Sequence, residues 1–133
     1  MKEICPKLIL VLVLAVVFSA PSCWAKDNGY CYIVGYSMQA KTAYITPVFV
    51  ATVSGATYSE EEFVADVVLI RKMENQFQNY LAGQGINTAD FVVSARVAYR
   101  SQAIAGIRLA DEKKDFTGRG YSIKDADKFI FKD

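Results

Sequence analysis

The apolar and polar positions change period several times along this chain, and each change predicts an element. Tyr30 to Ser37 is rich in aromatic and β-branched residues and reads as a strand. After a short connection at Met38–Lys41, Thr42 to Val53 repeats that composition, so the two are expected to form a hairpin. Pro47 cannot donate a ladder hydrogen bond, which implies an edge or a bulge at that point. Lys26 to Gly29 is polar and reads as a flexible lead-in.

The period then lengthens to that of a helix. Ser59-Glu60-Glu61-Glu62 has the spacing of a capping box, and Phe63, Val67, Ile70, Phe77 and Leu81 recur on one helical face, with Val64, Val68 and Met73 beside them. These positions predict one helix over 60–82, ended by Gly83 and Gly85. Phe91 to Tyr99 follows as a third strand, and Ser101 caps a second helix whose pattern fades near Phe116. Gly118 and Gly120 mark its exit. Tyr121–Ile123 and Lys128–Phe131 give a last strand with a break at Asp125-Ala126-Asp127. The expected order is ββαβαβ. The economical α+β solution is a single mainly antiparallel four-stranded sheet with both helices on one face. A parallel pair joined by a right-handed crossover fits within it.

The start of the chain has a different character. Two lysines, Lys2 and Lys7, precede an uncharged apolar run from Leu8 to Phe18, and Cys23-Trp24-Ala25 offers small residues where a signal peptidase looks. Residues 1–25 are therefore expected to be a secretory signal cleaved before Lys26, leaving residues 26–133 as one domain. The run is too short for a transmembrane anchor, which takes roughly 18 to 20 residues. The alternative to a periplasmic or secreted protein is a lipoprotein tethered through Cys23.

Removal of Lys2, Lys7 and Glu3 turns 15 basic and 14 acidic residues into 13 and 13. A neutral domain has no field to recruit nucleic acid, so that partner class is not expected. Cys31 alone survives cleavage, which excludes an internal disulfide and favours a buried thiol.

Candidate chemistry is sparse. The chain has no histidine, so the commonest general base and metal ligand is missing, and one cysteine cannot build a thiolate zinc site. No metal or cofactor is expected. Gly118-Arg119-Gly120 reads as a turn, and the carboxylates Asp111, Glu112, Asp115, Asp125 and Asp127 lie among lysines as solvated charge. Arg96 lies among apolar strand neighbours and Arg100 at the strand-to-helix junction, the place where a guanidinium could clamp an anionic group. Tyr30, Tyr32 and Tyr36 share one strand face, which serves either as core or as a recognition surface. These features favour a noncatalytic binding domain whose partner is a protein or a cell-envelope component. An enzyme using carboxylate, Arg and Tyr side chains, or an inhibitor or immunity-type protein, is the alternative.

Overall fold

The computed structural model describes residues 25–133. The expected signal up to Trp24 and the alternative lipidation point at Cys23 lie outside the described residues. The chain folds as α+β with five strands in one mixed sheet and two helices: β1 (Lys26–Ser37), β2 (Thr42–Ile45), β3 (Phe49–Ser54), α1 (Val67–Gly83), β4 (Val92–Tyr99), α2 (Gln102–Gly118) and β5 (Ser122–Asp125).

β1 is the axis of the sheet. Its residues 26–31 pair antiparallel with β3 and its residues 34–37 with β2. β4 pairs antiparallel with residues 30–36, overlapping both, so β2 and β3 must share the opposite edge of β1. β5 then lies parallel to β2. The expected second strand is thus two strands interrupted at Thr46-Pro47-Val48. The interruption is repaired locally, because the Ile33 amide donates to the Thr46 hydroxyl at 2.9 Å and the Thr46 amide donates to the Ile33 carbonyl. Pro47, with no amide hydrogen, needs no partner.

The helices lie on opposite faces of the sheet, not together on one. Cys31 and Ile33 of β1 pack with Met73, Phe77 and Leu81 of α1, while Tyr32 and Val34 pack with Ala105 and Phe116 of α2. Successive strand residues point to opposite faces, so these two sets define two layers of core. At Gly35 a Cβ would lie 3.1 Å from both Leu81 and Phe77, and the missing side chain lets α1 settle closely. The tail after β5 adds Ala126 and Phe129 to the α1 side, where Phe129 meets the rings of Phe49, Phe77 and Tyr80 edge-on.

The first helix begins at Val67, not at residue 60. Ser59 behaves as its capping box suggests, accepting from the Glu61 and Glu62 amides, but the chain then turns instead of coiling. Phe63 donates to the Ala98 carbonyl and Arg100 to the Glu61 carbonyl, so residues 61–63 are held against the end of β4. The cap of α1 is Asp66, whose carboxylate accepts from the Val68 and Leu69 amides. Val64, Val67 and Val68, expected in the core stripe, are consequently exposed. Ser101 caps α2 as expected, accepting from the Ile104 amide at 3.1 Å, and Gly120 takes a positive φ of 86° at the exit.

Replacing Asp66 by Ala is therefore expected to cost about 1 kcal/mol of unfolding free energy, the usual size of a lost cap. Ser59→Ala loosens only a surface turn and should cost less. Urea denaturation of the two variants checks this, and a larger loss at Ser59 would contradict the boundary.

Candidate functional site

Two regions gather polar or open features, and they lie on different faces. The first is a half-buried cluster beneath α2. The Arg96 Nε and Nη2 both donate to Glu112, at 2.7 and 2.6 Å, and Nη1 donates to the Ser94 hydroxyl at 3.0 Å. The Tyr32 hydroxyl donates to the same carboxylate at 2.9 Å, and its ring stacks on Tyr99 with centroids 6.3 Å apart. Such a bidentate pair is strong in geometry and charge. It also occupies the guanidinium on all three nitrogens, so Arg96 acts as an internal brace and has no open fork for a ligand. Burial, followed by the hydrogen bond to Glu112, drives the Tyr32 phenol above its ordinary range, and the same bond raises Arg96.

Arg100 turns elsewhere, toward the carbonyls of Ser59 and Glu60. Arg108 pairs with Glu61 and fastens the same loop to α2. The structure therefore does not bring Arg96 and Arg100 to one anion site. Two acidic side chains of the second helix and final strand are likewise engaged, Asp115 with Arg119 and Asp125 with Lys113. Among the described residues no group of three His, Cys, Asp or Glu side chains could hold a metal ion.

The tyrosine stripe is interior. Tyr32 is 2% exposed, and Tyr36 is half-buried against Phe116 and Tyr121, with centroids at 5.3 and 6.1 Å. Tyr30 is half-buried against the same core. α2 crosses the face on which they lie, so Tyr32 packs in the core while Tyr30 and Tyr36 pack against it with part of each ring in solvent. Cys31, on the other face, is fully buried, and burial followed by the nearby charge of Asp133 pushes its thiol up to about 12.

The second region is an open groove beside β3. Lys26, Thr52, Ser54, Asp66 and Asp133 line a space of about 570 Å³. A separate small cavity lined by Cys31, Val53, Leu69 and Met73 offers only about 10 Å³, room for one water and no organic ligand. The groove lies where β3 and β4 send their connections to opposite faces, a position that favours crevices in open sheets. Among the described residues β3 is hydrogen-bonded to one neighbouring strand, β1. Along its outer side the Thr52 amide donates to the Asp133 carboxylate at 3.0 Å, so the Thr52 backbone faces outward, and alternation turns Val50 the same way. Sequence reasoning anticipated an edge from Pro47 but not this groove, because Asp66 and Asp133 reach it only through the tertiary fold.

Glu112→Ala leaves the Tyr32 hydroxyl and Arg96 without their acceptor, and is expected to cost about 2 to 3 kcal/mol, discounted for partial exposure. Glu112→Gln, which keeps an acceptor, should cost less; equal losses in chemical denaturation would argue against the hydrogen bond. Stability should also fall in alkali. A raised Cys31 pKa means the unfolded thiol ionises first, so stability is intact below pH 9.0 and declines as pH rises toward about 12. Cys31→Ala should flatten that decline in denaturation midpoints measured across the range. No family model, curated protein or solved structure matches this chain, so its function is read from its own geometry.

Proposed function

We propose that residues 26–133 form an exported, noncatalytic binding domain that engages a protein partner through the open edge of β3 and the groove beside it. The observation that carries this reading is the one-sided pairing of β3, with an exposed Val50 and an outward backbone capped only at Thr52 by a side chain. An extended partner segment can add to such an edge, its backbone replacing the Asp133 carboxylate and its side chains reaching the groove. Arginine and carboxylate side chains that acid–base chemistry would need are instead spent on one another, as in Arg96–Glu112. Export rests on the residues before Lys26 in the sequence, and β1 begins at the residue that cleavage would leave first.

One experiment addresses both parts. The full chain is expressed in its own host, recovered from the envelope fraction and weighed intact, and co-purifying proteins are compared between wild type and Val50→Lys. The expected mass starts at Lys26, and the expected partner is lost with Val50→Lys but kept with Ile107→Lys on the exposed side of α2. Equal capture by both variants would remove β3 as the binding edge. A mass that retains a lipid on Cys23 would replace secretion with tethering.

A further inference from the structure

The last residues of the chain lie where a strand added to β3 would have to lie. Phe129 is buried against Phe77 and Tyr80 and fixes the chain to the α1 layer, but residues 130–133 beyond it belong to no strand or helix. Side chains make their attachment. The Phe131 ring rests on Phe49 with centroids 5.4 Å apart, and the Lys72 ammonium stands 5.8 Å from the Phe131 centroid. The Gln76 side chain donates to the Lys132 carbonyl at 2.7 Å and accepts from the Lys132 amide at 2.9 Å, and the Asp133 carboxylate accepts from the Thr52 amide at 3.0 Å. Among the described residues no backbone–backbone hydrogen bond engages residues 130–133.

Such an attachment is weaker than a paired strand and firmer than a free end. Lys132 and Asp133 are exposed and Phe131 is half-buried, so the four residues can swing away from the Phe129 anchor while the ladder of the sheet and both core layers stay closed, a local opening well short of unfolding. While closed, Asp133 takes the outward amide of Thr52 that an added strand needs, and Phe131 covers Phe49 at the start of β3. The vacated seat presents the Phe49 ring, the Gln76 side chain and the Thr52 amide. Phe131 and Asp133 fill it from positions two apart, the spacing at which an extended chain turns two side chains the same way.

We propose, resting on β3 as the binding edge, that residues 130–133 form a strap that gates this edge: an extended partner segment binds only while the strap is swung aside, and it carries an aromatic residue for Phe49 two positions from an acceptor for the Thr52 amide. The strap competes as a tethered ligand at high effective concentration. If it is closed about nine-tenths of the time, the apparent affinity of the partner falls about tenfold.

The test uses the full chain as its host exports it, in wild-type form and as Phe131→Ser with Asp133→Ala, which frees the strap and leaves its seat of Phe49, Gln76 and Thr52 intact. The probe is a dye-labelled synthetic peptide with the sequence of residues 128–133. Amide hydrogen exchange should find Thr52 and Lys132 protected to the same degree in the wild type and both at least about tenfold less protected in the variant, with Phe77 unchanged. By fluorescence anisotropy the peptide should bind the variant at least about tenfold more tightly than the wild type. Unequal protection of Thr52 and Lys132 in the wild type, protection that survives in the variant, or equal peptide affinity for the two chains would each overturn the strap and leave β3 standing as the binding edge. Absence of any partner whose capture depends on Val50, from both chains, would remove the β3 edge as a binding site and the gate with it.

Discussion

β1 is hydrogen-bonded along both edges and covered on both faces, and the demands of that position propagate through the molecule. Cys31 to Gly35 are all buried, so each side chain there must be apolar, absent or matched. Tyr32 is the residue that tests the rule. Its ring supplies core volume beneath α2, but its hydroxyl enters an interior where an unpaired donor costs about 1 to 3 kcal/mol. Glu112 meets the hydroxyl, a half-buried carboxylate then needs a cation, and Arg96 on the neighbouring strand provides it. What looks in isolation like a catalytic constellation is the structural consequence of placing a tyrosine in a doubly covered strand.

The same central position explains the layers. β3, β4 and β5 all run antiparallel to β1 or parallel to one another, so both helices are crossovers between parallel strands. The first travels from the β3 side of β1 to the β4 side, and the second travels back and beyond to β5. Two crossovers of one hand that move in opposite directions across a sheet must lie on opposite faces. Covering both faces in this way buries Tyr32 and leaves the open features at the β3 end, where no further strand arrives among the described residues.

Much of this was legible locally. The Ser101 cap, the extent of β4 and the buried cysteine follow from short-range pattern, whereas Lys26–Gly29, read as a polar lead-in, extends β1 by pairing with β3, and Lys128–Phe131, read as strand, packs as a tail after β5 at Ser122–Asp125. Ser59-Glu60-Glu61-Glu62 misled because its hydrogen bonds are those of a capping box in either a helix or a turn; the outcome was decided by Ala98 and Arg100, some forty residues away, whose backbone claimed the segment. The displacement of the helix start then exposed three valines that a helix from residue 60 would have buried. The two-faced core did leave a trace. Cys-Tyr-Ile-Val is a continuous apolar run without polar alternation, the mark of a strand covered on both sides. Arg96 and Glu112 sit 16 residues apart on different elements, and no spacing rule connects them.

The tail beyond β5 gives the fold a direction in time. Phe129 fills the space between Phe49, Phe77 and Tyr80, and Lys132 exchanges hydrogen bonds with Gln76 through both its amide and its carbonyl. A chain that emerges amino-terminus first, from a ribosome or through a translocation pore, has all of β1 to β4 and both helices in hand before it holds the ring that closes the α1 layer. During that interval the aromatic floor on α1 is open to solvent and to any holding chaperone. The α1 layer is therefore complete only when the segment after β5 has docked against it.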